Sequence, residues 1–312
     1  MAEQVWERAG VPLKFQVGDI ILGRAVLSLL RRSVRLDERP LEVGESPEPP
    51  PCLDRADGYV VWSQPLARRL PVYAAQRDAI LYAPRQYRRF TVDLSGSFEQ
   101  YMSAFSGKTR STLKRKMRKF AEASGGAIDW KECRTPEEIE KFFPLARKVS
   151  AITYQERRFR SGLPNTEAFI AAARESSKMD KIRAYLLCFN KDPISYLYCP
   201  IAHGVVLYNY LGYDPAYAAL SPGTVLQFLA LQALFAERRF VMFDFTEGEG
   251  QHKKVFSTQN VLCGDVFVLN RRLAPLAVVT LHRSVAGIST IAGAALDRLR
   301  LKSRVRRLLR QN

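Results

Sequence analysis

The sequence predicts an α/β fold in which a mixed central sheet is flanked by helices. Of its 312 residues, 47% are hydrophobic, which is enough to bury a sizeable core. From Ala127 to Phe245, short apolar runs of strand character alternate with stretches of helical periodicity. One sheet covered by helices is the simplest architecture that accommodates this alternation.

The N-terminal region is predicted to be an appendage followed by a small sheet. Gly18–Asp37 is apolar and then basic and keeps neither period cleanly, so strands and an amphipathic helix both remain open. The proline-rich segment Glu45–Pro51 can form neither a helix nor a hydrogen-bonded β-strand, and we interpret it as a connector. The small sheet is predicted from four β-type runs, Tyr59–Trp62, Val72–Ala74, Ala79–Tyr82 and Phe90–Leu94.

A strongly basic helix is predicted from Ser97 to Ala123, with Gly125 and Gly126 as its stop. Seven Lys or Arg residues fall within the segment 108–119 without one acid. A solvated face explains most charge runs, but this density indicates an anion contact, with membrane phosphates, RNA or a cofactor's 3′-phosphate as candidates. The SGKT segment at 106–109 is not a nucleotide-triphosphate loop, because no phosphate-loop glycine precedes it.

The second half is predicted to alternate helices and strands, and Thr135 caps the first helix. The predicted order is strand Ala127–Arg134, helices Pro136–Ser150 and Thr166–Ser177, strands Ile182–Phe189, Ile194–Ile201 and Val205–Gly212, helix Val225–Arg239 and strand Phe240–Phe245.

The turn Ser221-Pro222-Gly223-Thr224 joins an aromatic strand to a helix. Pro222 fixes its own φ, Gly223 lets a phosphate approach the backbone, and Thr224 adds a hydroxyl near the helix start. A helix N-terminus presents backbone N–H groups that favour anions. An ordinary helix cap explains such a turn taken alone. The order of strand, turn, helix, strand and polar loop instead favours a site for the pyrophosphate of a nucleotide-like cofactor.

The segment Tyr208–Lys253 resembles the GNAT superfamily of N-acyltransferases. The resemblance rests on the pattern Y-x-x-x-G-Y-D-P-A-Y-A-x-L-S-P-G-T, a helix, F-D-F and a loop with glycine, acids and lysine, and it extends over Phe98–Val268. Within the superfamily the chain is similar to the cellulose-biosynthesis-associated acetyltransferases and their relatives, the Fem-type peptidoglycan aminoacyltransferases. Bacterial ceramide synthases are of this general type. The resemblance implies the GNAT fold, with an N-terminal half that is a degenerate copy of it.

The resemblance implies an acyl-CoA cosubstrate, either acetyl-CoA or a long-chain acyl-CoA, and no metal. In the superfamily the turn at the helix start grips the pyrophosphate, which implies this role for Ser221, Gly223 and Thr224. Tyr213 lies on the strand that faces the thioester, and Lys253 matches a lysine of the family's loop, so both are assigned to the same ligand. The usual glycine-rich pyrophosphate loop is reduced here to one glycine, a departure that leaves the donor geometry open.

Candidate catalytic residues follow the last predicted strand. Acyl transfer to an amine requires a base for the amine proton and stabilisation of the carbonyl oxygen. The related sequences typically read G-D-E-P-Y-K in this loop, and His252 occupies the tyrosine position. Imidazole titrates near neutral pH, so His252 is the candidate base, although a surface histidine beside two lysines is the alternative.

Three acids complete the catalytic candidates. Glu247 and Glu249 could serve in the reaction, hold the acceptor's ammonium or be solvated. Asp244 lies in an apolar strand, where an unpaired charge is costly, so it is either paired with an arginine or part of the site. Candidate acceptor-binding residues are Tyr154 and Glu156, in the segment that binds the acceptor in the superfamily, and Tyr210, for which core packing is the alternative.

Charge indicates the kind of partner. The formal net charge of +17 and the pI near 9.9 predict an anionic partner, which could be a membrane, a nucleic acid or an acidic metabolite. Residues 271–312 hold ten Lys or Arg against one acid and begin with a long apolar run. Arg283 would cost about 2.5–3.5 kcal/mol at a bilayer centre, so an interfacial amphipathic helix is predicted rather than a transmembrane one. Packing on the core is the alternative for this tail.

These observations predict an acyl-CoA-dependent N-acyltransferase that acts on an amine of a lipid, such as a sphingoid base, or of an envelope precursor. Five cysteines without CxxC spacing favour a reduced compartment and indicate neither a disulfide framework nor a zinc cluster. No signal pattern begins the chain, and we expect a cytoplasmic protein bound peripherally to the inner face of the membrane. The alternatives are a Fem-like transferase that uses aminoacyl-tRNA and a non-catalytic RNA- or membrane-binding protein.

Four segments are predicted. They are an N-terminal appendage and connector (1–51), a small sheet with the basic helix (52–125), a catalytic GNAT domain (126–270) and a basic amphipathic tail (271–312).

Overall fold

The computed structural model describes residues 6–18, 20–153 and 162–298, and of 291–298 only the helical backbone. Two compact units make up the chain. The first combines the residues up to Tyr87 with those from Val261 onward, and the second is Arg88–Asn260. The predicted boundaries at residues 51, 125 and 270 differ from this division and stay predictions of domain organisation.

The strands, in chain order, are β1 (Glu7–Val17), β2 (Ile20–Ser33), β3 (Gly58–Pro65), β4 (Tyr73–Ala75), β5 (Ala79–Asp93), β6 (Trp130–Cys133), β7 (Ile182–Phe189), β8 (Asp192–Ala202), β9 (Val205–Leu207), β10 (Tyr210–Tyr213), β11 (Met242–Asp244) and β12 (Gln259–Asn270). The helices are α1 (Phe98–Ser103), α2 (Gly107–Ala123), α3 (Pro136–Ile152), α4 (Glu167–Lys178), α5 (Pro222–Glu237), α6 (Gln251–Phe256) and α7 (Leu273–Arg298), with a 3₁₀ helix at Pro215–Leu220.

The first unit is built on a sheet. β1 and β2 form an antiparallel hairpin. Most of Gly18–Asp37, for which the sequence left both strands and an amphipathic helix open, is therefore strand. β2 runs parallel to β3, and β3 is antiparallel to β12. The side chains buried between these strands and α7 include Leu29, Val60, Leu269 and Val279. The described residues before Ala79 form strands and loops, and the degenerate GNAT copy stays a prediction.

Helix α7 contains the part of the predicted tail that the structure describes. Val279 is fully buried, and His282 Nδ1 lies 2.5 Å from the hydroxyl of Tyr82. The helix face that carries Val279 and His282 thus packs on the core, which was the alternative given for this tail. Leu281 and Ile288 are more than half exposed on the same helix. None of the described helices is both long enough and apolar enough to cross a bilayer.

The second unit carries a mixed sheet flanked by helices, as predicted. β9 and β11 are parallel, whereas β8 is antiparallel to β7, β9 and β10. Alternate residues of a strand point to opposite faces. Tyr185 and Leu197 accordingly pack with α1, α2 and α5, while Leu186 and Tyr198 pack with α3 and α4.

Local capping explains where several helices begin. Thr135 caps α3 in a capping box with Glu138, as its hydroxyl accepts the N–H of Glu138. The single basic helix predicted from 97 to 123 is wrong, because Ser97 and Ser106 each cap a separate helix and the chain leaves helical structure between them. The stop at Gly125 is confirmed, with a φ of +83° that favours glycine.

Candidate active site

The central feature of the second unit is a change of strand partner at Tyr208. β9 pairs with β11 as far as Leu207 and Asp244, and the Tyr208 N–H still donates to the Asp244 carbonyl at 2.8 Å. The chain then leaves β11, and β10 pairs with β8 instead. The prediction of one strand over 205–212 is therefore wrong. The break separates two neighbouring chain segments and leaves space between them.

A cavity of about 580 Å³ lies at this break. It brings together the predicted phosphate turn, the aromatic strand and the candidate base, which are far apart in sequence. The lining residues are Thr153, Tyr208, Leu211, Tyr213, Pro215, Ala218, Ser221, Gly223, Thr224, Gln227 and His252.

The turn at the start of α5 presents backbone to the cavity. Ser221 has a left-handed φ of +56°, and its carbonyl accepts the N–H groups of Thr224 and Val225. Its hydroxyl makes no capping hydrogen bond. A Cβ on Gly223 would lie 3.2 Å from Leu211 Cδ2 and 3.3 Å from Tyr213 Cδ1, so only glycine leaves this wall clear. The geometry suits the close approach of an anion to a helix N-terminus.

The basic helix α2 lies against the same turn. Lys116 Nζ donates to the Thr224 hydroxyl at 3.3 Å, and Lys119 Nζ donates to the Ala219 carbonyl at 3.0 Å. Burial, and secondarily the neighbouring Arg115, lower the pKa of Lys116. The sequence indicated an anion contact for this helix, and the fold places Lys116 next to Thr224.

His252 lies in α6 with its Nε2 3.2 Å from the Tyr208 hydroxyl. Partial burial of the imidazole and then the charge of Lys253 lower the pKa of His252, although solvent still reaches the ring. Burial raises the pKa of Tyr208 well above its ordinary range. At neutral pH the pair therefore consists of a neutral imidazole and a protonated phenol, an arrangement that can accept a proton from a bound amine.

The predicted acids lie outside the cavity lining. Asp244 is 2% exposed and forms an ion pair with Arg89, with Oδ2 2.6 Å from a guanidinium nitrogen, so the paired alternative is the one observed. Glu249 accepts the backbone N–H of Arg88 at 3.1 Å and also lies 3.6 Å from Lys254 Nζ. Glu247 is exposed.

Lys253 is buried behind the cavity and is not one of its lining residues. Its Nζ donates to the carbonyls of Phe245 at 2.7 Å and Glu247 at 2.5 Å, and it lies 5.6 Å from the ring centre of Tyr208. Burial lowers its pKa to about 8. In this structure Lys253 ties the loop 245–247 to α6, and ligand binding by it stays a prediction.

Of the three predicted acceptor-binding residues, Tyr210 alone lies within the described part of the chain. Tyr210 packs against Phe169 and Tyr198, with ring centres 6.1 Å away in each case, and does not line the cavity. Tyr154 and Glu156 lie outside the described residues. Thr153, which precedes them, does line the cavity.

Gln227 is a site residue that the sequence analysis missed. It is 1% exposed, and its Nε2 has no hydrogen-bond partner within the described ranges. It lies one helical turn beyond Gly223 and therefore on the same face of α5. An amide in the otherwise apolar run VLQFLALQALF, four residues after Gly223, is the signal that could have identified it.

Residues 107–254 match the family model described as Acetyltransferase (GNAT) domain. The match spans just under half of the chain, and over this stretch the chain is similar to GNAT domains. The match supports N-acyltransferase activity and the GNAT fold. No curated protein matches the chain. The described residues contain no group of three or more His, Cys, Asp or Glu that could hold a metal ion.

The solved structures that match the chain have low sequence identity to it. A conserved protein of unknown function from Bacteroides thetaiotaomicron is 12% identical, with 68% of this chain and 70% of that chain covered and a TM-score of 0.47. The C-terminal domain of a putative lysylphosphatidylglycerol synthetase from Agrobacterium fabrum is 11% identical, with coverages of 73% and 72% and a TM-score of 0.47. FemX is 10% identical, with coverages of 87% and 89% and a TM-score of 0.45.

Proposed function

We propose that the protein is an acyl-CoA-dependent N-acyltransferase that moves an acyl group from a thioester to an amine. The observation that carries this proposal is that one cavity is lined both by the Gly223 turn and by the Tyr208–His252 pair. An anion-binding helix start and a neutral base in one cavity are what transfer from a phosphate-bearing donor requires.

We assign the binding of the acyl donor to the turn at the start of α5. Ser221, Gly223 and Thr224 would hold the pyrophosphate, and Lys116, 3.3 Å from the Thr224 hydroxyl, would offset its charge. Tyr213 flanks the turn and is 39% exposed. The acyl-CoA supplies the activated thioester, so no covalent intermediate with the protein is needed.

In the proposed reaction the amine nitrogen attacks the thioester carbonyl carbon. The C–N bond forms, the C–S bond breaks, and His252 takes the proton that the amine loses. CoA leaves as a thiolate and is protonated by solvent. Tyr208 orients the imidazole through its hydrogen bond, and the Gln227 amide can donate to a carbonyl oxygen of the donor.

We propose an amine on a lipid, for which a sphingoid base is the model, or on an envelope precursor as the acceptor. Exposed apolar side chains of the β1–β2 hairpin support peripheral binding at the inner face of the cytoplasmic membrane. Ile20, Leu22 and Val26 are at least half exposed there, and Arg24 lies between them, paired across the hairpin with Lys14. Apolar side chains next to cations suit an anionic bilayer.

Two other functions compete with this one. Transfer from aminoacyl-tRNA is favoured by the basic face of α2, which could contact RNA phosphates. A non-catalytic RNA- or membrane-binding role would leave function unchanged when His252 and Glu249 are substituted.

Calorimetric titration of the full chain with acetyl-CoA, palmitoyl-CoA and bulk tRNA tests the proposal. We expect saturable binding of the CoA esters that Gly223→Asp abolishes, and a preference for palmitoyl-CoA if the product is a lipid. Salt-sensitive tRNA binding without CoA binding would overturn acyl-CoA dependence.

Membrane binding is tested separately by flotation with phosphatidylglycerol vesicles. We expect Leu22→Glu to reduce the bound fraction and Val72→Glu, at a half-exposed apolar residue outside the hairpin, to leave it unchanged. Equal loss in both variants would contradict a role for the hairpin.

A further inference from the structure

Three cations of α2 line a second cavity on the other side of the Ser221 turn. Arg115 and Lys119 are four residues apart and Lys116 and Lys119 three apart, so all three share one face of the helix. The cavity measures about 350 Å³, and its remaining lining residues are Ala219, Leu220 and Ser221. Ser221 also lines the cavity that contains His252, so the turn borders both.

Among the residues that the structure describes, those lining this second cavity carry charge of one sign, and none of them is acidic. Arg115 makes no hydrogen bond or ion pair within the part of the chain that the structure describes, whereas the neighbouring Arg118 is 3.5 Å from Glu122. Cations held close together repel one another, and a bound anion relieves that repulsion.

We propose that this cavity binds the phosphomonoester of the acyl donor, which is the 3′-phosphate on the ribose of CoA. The inference rests on the proposed acyl-CoA dependence and adds a second point of recognition to it. CoA carries two separate anionic groups, a pyrophosphate and a phosphomonoester. The Gly223 side of the turn takes the first, and the Arg115 side takes the second.

A recognition site of this kind discriminates between CoA and 3′-dephospho-CoA. The two ligands share the pyrophosphate and the pantetheine and differ only in the phosphomonoester. Charge-assisted contacts to a phosphate are strong, so we expect the wild-type chain to bind CoA about tenfold more tightly than 3′-dephospho-CoA. The preference should decrease as salt is raised, because the cavity is open to solvent.

The decisive experiment measures the dissociation constants of both ligands for the wild type and for Arg115→Gln, Lys119→Gln and the double variant. Arg115→Gln is the cleanest test, since Lys119 also donates to the Ala219 carbonyl. We expect the double variant to lose most of the tenfold preference, while its affinity for 3′-dephospho-CoA changes less than about twofold. Lys114→Gln removes an equal charge from an exposed residue outside the cavity and should keep the preference.

The outcomes separate this inference from the proposed function. Equal binding of CoA and 3′-dephospho-CoA by the wild type would overturn the phosphomonoester site and leave the acyl-CoA proposal standing. Binding of neither ligand would overturn both. Loss of salt-sensitive tRNA binding in the double variant, with the preference for CoA intact, would assign the cavity to RNA phosphates instead.

Discussion

The Tyr208 hydroxyl and His252 Nε2 are 3.2 Å apart, at the point where β9 ends and the chain turns away from β11. The two residues come from segments 44 positions apart, and the break in the strand brings the phenol to the imidazole. Lys253, directly after His252, anchors this arrangement from behind by donating to the Phe245 carbonyl. The candidate base is thus held by both its hydrogen-bond partner and its own helix.

Substitution of His252 by Gln should lower kcat by about 10²- to 10⁴-fold, the usual contribution of a general base. The neutral imidazole is the active form, and its pKa lies below the ordinary 6.5 because partial burial disfavours the charged form. The wild-type rate should therefore fall only as the pH drops through a value below 6.5. The variant should lack this acid limb in its profile of rate against pH.

Two variants control for this result. His203 is an exposed histidine in the β8–β9 turn with a φ of +51°, which Asn tolerates, so His203→Asn should keep both rate and profile. Tyr208→Phe removes the hydrogen bond but not the base, and we expect a loss of about tenfold with the acid limb retained. A full rate in His252→Gln would mean that another group takes the amine proton.

Gly223→Ala should weaken CoA binding by about tenfold, because the added methyl group hinders the close approach of the pyrophosphate to the backbone of the turn. The added Cβ would lie 3.2 Å from Leu211 Cδ2 and 3.3 Å from Tyr213 Cδ1, and these side chains, which line the cavity, must shift to accept it. Calorimetric titration with CoA measures the change.

Gly107→Ala is the matched control for that measurement. Gly107 is the first residue of α2, its φ is not left-handed, and a Cβ there would meet nothing within 4 Å. We expect unchanged CoA affinity and slightly higher stability, as Ala favours a helix by roughly 0.5–1 kcal/mol over Gly. Equal weakening in both variants would contradict a special role for the wall at Gly223.

The sequence analysis could predict those parts of the site that depend on local chemistry. The proline, glycine and threonine of the turn predict a helix start, and α5 begins at Pro222. Capping signals locate the start of α3. The break between β9 and β10 was not predictable, because the apolar run from Val205 to Gly212 has strand character throughout and the change of partner depends on β8 and β11, which are remote in sequence.

The charged residues illustrate the same limit. Asp244 and Lys253 were both singled out as site residues, but a charge in an apolar context is either functional or paired, and only the fold reveals the partner. Arg89 pairs with Asp244 across 155 residues of sequence, and two carbonyls accept from Lys253. Gln227 is the converse case, since its Nε2 has no hydrogen-bond partner among the described residues although the local sequence predicts only a buried helix.

Gln227→Leu should increase stability and reduce activity. Its Nε2 has no partner in the described part of the chain, and removing such a buried polar group recovers about 1–3 kcal/mol of desolvation cost. If the amide donates to a donor carbonyl as charge develops on it, kcat should fall by roughly tenfold or more with a smaller change in KM. Urea unfolding and steady-state kinetics on the same preparation measure both effects. Gln232→Leu, at an exposed residue of the same helix, should leave kcat unaltered.

Asp244→Asn separates a structural carboxylate from a catalytic one. Asp244 is 2% exposed, its Oδ1 accepts the N–H of Thr246 at 2.8 Å, and Oδ2 is 2.6 Å from Arg89. Breaking a buried ion pair typically costs about 3–5 kcal/mol. Because the Arg89 side chain is 14% exposed, we expect a loss of about 3 kcal/mol in the free energy of unfolding, at the low end of that range.

The double variant Asp244→Asn/Arg89→Met should recover part of this loss, because it removes the uncompensated charge as well. Both variants should keep kcat within about threefold of wild type at a temperature where each is folded, since Asp244 does not line the cavity. A kcat decrease of 10²-fold or more, with the free energy of unfolding unchanged, would instead place the carboxylate in the reaction. Urea denaturation at 15 °C paired with kinetics at the same temperature distinguishes the two results.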